Sequence, residues 1–382
     1  MVECKKLGEI GEVSMCKRVM KEQTSTNGDI PFYKIGSFGG EADAYISREL
    51  YEDYKTKYSY PKKGDVLISA AGTIGRTVLF DGNDAYFQDS NIVWIDNDER
   101  YVFNKYLYYY YQIVNWKTDG GTIKRLYNYN LKNIDIVYPS KEKQLKIIEQ
   151  LDTFTSSIEN LKEQIALRRK QYEYYRDQLL DLEGKEGVEM KTLGSFGDVT
   201  KLAGFEFTEH VTYKEDGKII ALRGLNVKNG HLDLSQVKYI DGSNFGKLER
   251  SKLVTNDMLF TYVGTIGNVA LVNEDDKYYL APNVSRIRFD QDVINPKFAL
   301  YVFMSEKFYR TQINKFLNSS SMKNLSMENI RKFVLPIPSL SEQQRIVDIL
   351  DTFEASIQNL EAQLAGREKQ YEYYRNKLLT FE

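Results

Sequence analysis

The sequence predicts an α+β protein in which two similar globular domains alternate with two long helices. Apolar residues alternate four and three positions apart through residues 147–182, and this spacing is typical of a coiled-coil seam. The same series returns 199 positions later (346 − 147), through residues 346–381. Short β-branched and aromatic runs, separated by glycine-containing turns, precede each helix, and such runs are typical of strands. One arrangement of sheet and long helix is therefore expected twice.

The repeat covers nearly the whole chain, which favours two equivalent halves. Residues 7–14 (LGEIGEVS) match residues 193–200 (LGSFGDVT). The segment 183–187 (EGKEG) contains two glycines, which end a helix and permit a change of direction. We predict four segments in chain order: a first globular domain at 1–140, the first long helix and its linker at 141–185, a second globular domain at 186–338, and the second long helix at 339–382.

Each globular domain is predicted to contain short strands and one helix packed on their sheet. In the first domain, strands are expected at 65–69, 76–80 and 91–95, where β-branched or aromatic residues are concentrated. The helix is expected at 104–116, and its counterpart in the second domain at 296–309. Each is thus expected to be a mixed α/β domain.

Composition places the chain among ordinary globular proteins. Of its 382 residues, 42% are hydrophobic and 28% are charged. With a net charge of −2, the chain lacks the excess of basic residues that is usual for a nucleic-acid binder, so any basic surface must be local. Cys4 and Cys16 are expected to be free thiols in a reducing cytoplasm. No apolar run approaches the ~20 residues of a membrane span, and no leader is recognised, so a cytoplasmic protein without membrane contact is expected.

The motifs of common catalytic classes are absent from the sequence. It lacks the Asn/Asp-Pro-Pro-aromatic motif of methyltransferases, the G-x-G-x-x-G fingerprint and the P-loop. The two histidines, His210 and His231, are too far apart for a metal-binding motif. We therefore expect no catalytic residue and no metal site.

Two matching Gly-Thr-Ile-Gly turns, at 72–75 and 264–267, are the first candidates for ligand contact. One interpretation is a tight turn that needs the conformational freedom of glycine. The other is a loop whose backbone N–H groups and flanking side chains approach a phosphate or a base. The second interpretation implicates Ser69, Thr73 and Arg76 in the first half and Tyr262, Thr265 and Asn268 in the second.

Basic residues also occur in matching polar loops shortly before the last strand of each domain. Lys124 and Arg125 occupy the first loop, Lys323 occupies the second, and Arg223 is a further basic candidate. Such side chains suit the neutralisation of phosphates or the reading of guanine, although a solvated surface loop is the alternative. The 29 tyrosines permit base stacking but equally suit ordinary packing.

Arg168 and Arg367 interrupt the two apolar seams at the same position. A polar residue in a seam specifies register at some cost in stability; alternatively, both arginines bind the carboxylates of a partner. The other residues expected to pair the helices or to contact partners are Phe154, Tyr172, Tyr175, Phe353, Tyr371 and Tyr374.

From end to end the sequence resembles the specificity subunits of Type I restriction-modification systems. The resemblance is carried by the Gln-rich helix starts that lead into Leu-Asp-Thr-Phe (144–154 and 343–353), by the Gly-Thr-Ile-Gly turns, and by the Tyr-rich helix ends (171–176 and 370–375). It implies two target-recognition domains joined by two long helices that form an antiparallel coiled coil, with an internal pseudo-two-fold repeat.

The resemblance also implies a function and partners. Each globular domain would read one half of a split, asymmetric sequence in double-stranded DNA, and the coiled coil would set the spacing. Two methyltransferase (M) subunits would dock on the helices, and restriction (R) subunits would join them. S-adenosylmethionine, ATP and Mg would belong to those partners, with no cofactor bound by this chain. The expected DNA contacts are Ser69, Thr73, Arg76, Lys124, Arg125, Arg223, Tyr262, Thr265, Asn268 and Lys323.

Two other functions compete with this interpretation. One is a structural or adhesion protein, in which a coiled-coil spacer displays two domains that bind proteins or glycans. The lack of a recognised secretion signal argues against it. The other is a DNA enzyme with a fused recognition domain, against which the missing catalytic motifs argue.

Overall fold

The computed structural model describes residues 2–119, 124–202, 209–317 and 324–381. The chain divides into two compact units: Met1–Glu163 with Glu361–Glu382, and Gln164–Leu360. Each unit contains one globular domain and parts of both long helices.

The described strands of the first unit are short, and most belong to one of two sheets. They are β1 (Val2–Lys6), β2 (Gly11–Ser14), β3 (Ile30–Tyr33), β4 (Tyr45–Ile46), β5 (Val66–Ser69), β6 (Thr77–Leu79), β7 (Tyr86–Phe87), β8 (Ile92–Asn97) and β9 (Asp135–Pro139). An antiparallel sheet has the order β2–β8–β5–β6, and a second sheet has the order β4–β3–β7, with β3 parallel to β7. Strands β1 and β9 form a separate antiparallel pair.

Among the described residues of this unit, four short helices accompany the sheets, and the first long helix follows them. They are α1 (Leu7–Ile10), α2 (Arg48–Lys57), α3 (Asn104–Tyr110), α4 (Asn128–Lys132) and the long α5 (Lys141–Leu180), with a 3₁₀ turn at Lys21–Gln23. Helix α2 begins after Ser47, whose hydroxyl accepts a hydrogen bond from the backbone N–H of Leu50 at 3.2 Å. This is the usual way in which serine satisfies a free N–H at a helix start.

The second unit repeats the central sheet of the first. Its described strands are β10 (Glu189–Thr192), β11 (Gly197–Lys201), β12 (Ile220–Leu222), β13 (Val227–Lys228), β14 (His231–Leu232), β15 (Met258–Thr261), β16 (Val269–Leu271), β17 (Tyr278–Leu280), β18 (Val284–Phe289) and β19 (Val334–Ile337). The order β11–β18–β15–β16 corresponds to β2–β8–β5–β6, and β10 pairs with β19 as β1 pairs with β9.

The helices of the second unit also follow those of the first. They are α6 (Pro296–Met304), α7 (Met327–Arg331) and the long α8 (Leu340–Leu379), with helical turns at Glu306–Phe308, Tyr309–Ile313 and Asn314–Phe316 and 3₁₀ turns at Leu193–Ser195, Gly224–Asn226, Phe245–Lys247 and Glu249–Ser251. Helix α6 begins after Asn295, whose side-chain oxygen accepts from the N–H of Lys297 at 2.8 Å. Pro296 occupies the first helical position, where a missing N–H costs nothing.

The two long helices run antiparallel within each unit. In the first unit, the ring of Phe154 stacks on Tyr374 at a centroid distance of 5.3 Å, and Lys162 forms an ion pair with Glu368 at 3.2 Å. The partner residue in α8 falls from 374 to 368 as the residue in α5 rises from 154 to 162, so the helices run in opposite directions. In the second unit, Tyr175 of α5 stacks on Phe353 of α8 at 5.5 Å.

Four predicted helix ends were wrong. The helix expected at 296–309 ends at Met304, because Ser305 has an extended backbone. The two long helices end at Leu180 and Leu379, in each case two residues before the end of the apolar pattern. The last apolar residue of the first pattern, Leu182, lies beyond its helix and is buried in the core of the second unit. Helix α3 ends at Tyr110 rather than at 116, because the chain turns there and brings Trp116 against the turn at 72–75.

Candidate nucleic-acid interface

The two Gly-Thr-Ile-Gly turns are closed by the hydroxyl group that precedes them. Ser69 Oγ donates to the carbonyl oxygen of Thr73 at 2.5 Å and accepts from the N–H of Arg76 at 2.8 Å. The second turn repeats this geometry with Thr261 in place of Ser69. Ser69 is 1% exposed, and its hydroxyl is engaged in closing the turn.

The last glycine of each turn is required by both conformation and packing. Gly75 has φ +80°, and a Cβ added there would lie 2.2 Å from Nε1 of Trp116. Gly267 has φ +96°, and an added Cβ would lie 3.1 Å from Ile313. The tight-turn interpretation therefore accounts for these glycines, while Thr73 and Thr265 lie exposed at the tips of the turns.

Arg76 connects the first turn to a neighbouring loop. Its side chain is exposed, and Nη1 donates to the carbonyl oxygen of Phe38 at 2.7 Å. The corresponding residue in the second unit is Asn268, which is half-buried. The two turns thus share a backbone but present different side chains.

A cleft of about 620 Å³ in the first unit brings together basic residues that are distant in sequence. We call it the basic cleft, and its basic lining residues are Arg18, Lys21, Lys34 and Arg125. The only carboxylate among its lining residues is Asp89, which pairs with Arg18 at 3.0 Å. The cleft therefore carries a local positive charge although the whole chain does not.

Arg125 is held at this cleft by its side chain and its backbone. Nη2 donates to Asn91 Oδ1 at 2.5 Å, and the backbone of Arg125 pairs in both directions with that of Asp119. Lys124 is exposed beside it. The matching Lys323 lies outside the described residues.

Lys34, another basic residue of the cleft, forms an ion pair with a carboxylate that does not line the cleft. Its ammonium lies 3.1 Å from Asp43. The hydrogen bond from Lys34 lowers the pKa of the Asp43 carboxyl, so that carboxyl stays ionised at neutral pH and offsets part of the lysine's charge.

The second unit places its candidates differently. Tyr262 is buried, with Lys201 Nζ 5.7 Å from its ring centroid, and burial raises the pKa of its phenol. Arg223 donates from Nη2 to the carbonyl oxygen of Gln236 at 2.9 Å. Its Nε has no hydrogen-bond partner among the described residues. Among the described residues, no hydrogen bond or ion pair joins the Arg223 side chain to the Gly-Thr-Ile-Gly turn.

The two seam arginines stack on phenylalanines of the opposite helix. The guanidinium carbon of Arg367 lies 5.9 Å from the ring centroid of Phe154, and that of Arg168 lies 5.9 Å from Phe353. Each phenylalanine also stacks on a tyrosine, Tyr374 or Tyr175. Cation–π contact thus explains why an arginine occupies a seam position.

The remaining helix tyrosines form specific polar contacts. The hydroxyl of Tyr172 donates to Glu354 at 3.2 Å, and that of Tyr371 donates to Gln112 Oε1 at 2.7 Å. Burial is the main cause that raises the pKa of both phenols. Both hydroxyls therefore stay protonated and act as donors at neutral pH.

Within the part of the chain that the structure describes, no group of His, Cys, Asp and Glu side chains is arranged to hold a metal ion. Over the same residues, no helix is both long enough and apolar enough to cross a membrane.

A comparison with protein families decides where the chain belongs. The family described as "Type I restriction modification DNA specificity domain" matches twice, over residues 1–168 and 185–366. The chain belongs to this family. The two matches correspond to the two halves of the internal repeat.

Individual relatives agree with this assignment. A protein of Haemophilus influenzae named as a type I restriction enzyme specificity subunit is 61% identical over 180 residues, 46% of this chain and 47% of that protein. The chain thus matches about half the length of this relative. The EcoR124I/EcoR124II specificity subunit of Escherichia coli is 28% identical over 308 residues, 74% of this chain and 72% of that subunit.

A solved structure shares the fold. The S subunit of a Type I restriction-modification system from M. genitalium matches with a TM-score of 0.62 at 15% identity, covering 100% of this chain and 97% of that one. The predicted fold class, two α/β domains with two long antiparallel helices, is confirmed.

Sequence reasoning missed the residues that attach each domain to its long helix. Gln144 and Gln343 are completely buried at the helix starts, and Asp152 and Asp351 follow eight positions later. The signal was present, because both pairs occupy matching positions in the Gln-rich and Leu-Asp-Thr-Phe motifs. It also missed Arg18, Lys21 and Lys34, whose proximity to Arg125 depends on the fold.

Proposed function

We propose that this chain is the sequence-specific, non-catalytic DNA-binding subunit of a Type I restriction-modification complex. Each globular domain, with the boundaries 1–140 and 186–338, reads one half of a bipartite target in double-stranded DNA. The observation that carries this proposal is the double match to the DNA specificity domain, once over each half of the chain.

The basic cleft supports DNA binding by the first domain. Its four basic side chains outnumber the two carboxylates that pair with them, Asp89 and Asp43, and such a positive excess suits a polyanion whose phosphates dominate affinity. Arg125 suits a base contact, because its guanidinium is oriented by Asn91 and arginine pairs in a bidentate manner with guanine.

The target should be asymmetric because the two domains differ where their backbones match. Arg76 is replaced by Asn268, and Ala70 is replaced by Tyr262, at equivalent points around the two turns. Leu126 and Leu325 donate to the carbonyl oxygens of Ala70 and Tyr262 at 2.9 and 3.0 Å, so these points are structurally equivalent. Different side chains on one backbone frame favour different base sequences.

The long helices are proposed to set the spacing of the half-sites and to dock two methyltransferase subunits. Each helix has 40 residues, or about 60 Å at ~1.5 Å per residue. Restriction subunits would join that assembly. S-adenosylmethionine, ATP and Mg would be bound by those partners and not by this chain.

The test is site-specific methylation by a reconstituted complex. The chain is combined with its methyltransferase subunit, incubated with a randomised duplex library and S-adenosylmethionine, and the methylated adenines are sequenced. The expected product is a split motif with two different halves at a fixed spacing. The methyltransferase subunit alone and this chain alone are the controls. Methylation that is independent of sequence, or equally specific without this chain, contradicts the proposal.

A further inference from the structure

Each globular domain is joined to its long helix by a cluster of three polar residues that occurs twice in the chain. In the Asp152 cluster, Tyr109 donates its hydroxyl to Oδ1 of Asp152 at 2.6 Å, and Lys105 donates to Oδ2 at 2.7 Å. In the Asp351 cluster, Tyr301 donates to Oδ1 of Asp351 at 2.5 Å and Lys297 donates to Oδ2 at 2.7 Å. Tyr109 and Lys105 belong to α3, whereas Asp152 belongs to α5.

The internal repeat indicates that the tyrosine hydroxyl matters at this position. Helix α3 and the residue that follows it contain five tyrosines, and four of their counterparts in the second domain lack a hydroxyl. The counterparts of Tyr106, Tyr108, Tyr109, Tyr110 and Tyr111 are Phe298, Leu300, Tyr301, Val302 and Phe303. A tyrosine is retained only where it reaches the aspartate of the long helix. Lysine is likewise retained as Lys105 and Lys297.

A second polar contact anchors the same domain nearer the helix start. Gln144 accepts from the N–H of Phe103 at 3.0 Å and donates to the carbonyl oxygen of Tyr101 at 3.0 Å. Gln343 does the same in the second unit, accepting from Asn295 at 2.7 Å and donating to Val293 at 3.0 Å. Gln144 and Asp152 are separated by about 12 Å along the helix at ~1.5 Å per residue.

Two hydrogen-bonded contacts at separate points along the helix, at Gln144 and at Asp152, fix the angle between the domain and the helix as well as the domain's position. The apolar contacts of Ile147 and Leu151 with the domain core are non-directional, so they hold the domain on the helix without specifying its tilt. A tilt of about 5° would move a point about 30 Å away by about 2.6 Å, close to the ~3.4 Å rise of one base pair.

We propose that the Asp152 and Asp351 clusters are positioning sites that fix the tilt of each recognition domain on its helix and so determine which spacer length between half-sites is accepted. This inference rests on the proposed DNA-binding function. It assigns to these residues a role in spacing that involves no contact with DNA.

The clusters can be disrupted without removing buried volume. Tyr109→Phe keeps the ring, and Lys105→Met keeps most of the aliphatic chain. Asp152 stays solvated after both changes, because its side chain is 33% exposed. Tyr106→Phe is the matched control: Tyr106 is also fully buried, and its hydroxyl donates to Val137 within the domain at 3.0 Å. The counterpart Phe298 shows that phenylalanine fits there.

The first measurement uses this chain alone and needs no DNA. Spin labels at Glu49→Cys in α2 and Glu163→Cys in α5, both exposed sites, report the domain–helix distance by double electron–electron resonance. The background is Cys4→Ser, because Cys4 is exposed, whereas Cys16 is buried with its thiol pKa raised to about 12. The distance distribution should broaden in Lys105→Met/Tyr109→Phe and stay narrow in Tyr106→Phe. An unchanged distribution in the double variant overturns the inference.

The second measurement is methylation by the reconstituted complex on duplexes whose spacer is one base pair shorter or longer than the preferred length. The preference of the double variant for the correct spacer should fall by roughly fivefold, the equivalent of one hydrogen bond. Lys105→Arg, which keeps the ion pair, and Tyr106→Phe should behave like wild type. Unchanged spacer preference, with a broadened distance distribution, refutes the link to spacing. Failure of the wild-type complex to methylate any duplex refutes the proposed function instead.

Discussion

Arg125→Lys should weaken the discrimination of one base pair in one half-site while the charge of the basic cleft stays the same. In the structure, Nη2 of Arg125 donates to Asn91 at 2.5 Å, and the side chain lines the cleft. Lysine keeps the positive charge but lacks the planar fork that pairs with a base edge in a bidentate manner. Base reading and phosphate binding can therefore be separated at this position.

The size of the effect follows from the kind of contact that is lost. A bidentate contact to a base edge contributes about 1–3 kcal/mol of discrimination, which is roughly 5- to 150-fold in relative affinity. The adjacent Lys124 is the matched control, because it is exposed and has no described polar partner. If Lys124 contacts phosphate, Lys124→Ala should lower the slope of log affinity against log salt by about 0.9 and leave discrimination unchanged.

The assay is equilibrium binding of the reconstituted complex to duplexes that vary one base pair at a time, at two salt concentrations. Arg125→Lys should flatten the preference at one position of one half-site only. Full discrimination in Arg125→Lys would refute base reading by Arg125. An unchanged salt slope in Lys124→Ala would remove Lys124 from the phosphate contacts.

Three other predictions concern stability and assembly. Gly75→Ala should lower the free energy of unfolding of the first unit by about 2–4 kcal/mol, because φ is +80° and Trp116 blocks the added Cβ. The control Gly64→Ala has φ +93° but open space around the Cβ, so it should lower that free energy by only about 1–2 kcal/mol. Urea denaturation measures both. Burial raises the pKa of the Cys16 thiol from 9.0 to about 12, so this thiol ionises first in the unfolded state. The free energy of unfolding should therefore fall between pH 9 and 12, by about 1.4 kcal/mol at pH 10. The same fall in Cys16→Ala would contradict this. The fragment 1–183 should dimerise through its unpaired seam, and a monomer at micromolar concentration in sedimentation equilibrium would argue against that.

The long helices and the repeat were predictable because their signal is local and periodic. Heptad spacing depends only on near neighbours in the chain, and the matching series from Ile147 and from Ile346 showed one helix used twice. The roles of Arg168 and Arg367 were not predictable, because each depends on which ring of the opposite helix lies beside it. Their contacts with Phe353 and Phe154 appear only once the helices are paired.

The site was less predictable than the fold. The sequence pattern correctly located both Gly-Thr-Ile-Gly turns. A serine that closes a turn and a serine that faces a ligand can have the same local sequence, so the sequence did not assign a role to Ser69. Its burial, which is known only from the fold, indicates that it closes the turn. Arg18 and Arg125 are more than one hundred positions apart, and their convergence on one cleft depends on how the strands pair. Periodicity thus determines which elements form, since neighbouring residues suffice for that. Which side chains meet, and which remain accessible to a ligand, is determined by long-range packing.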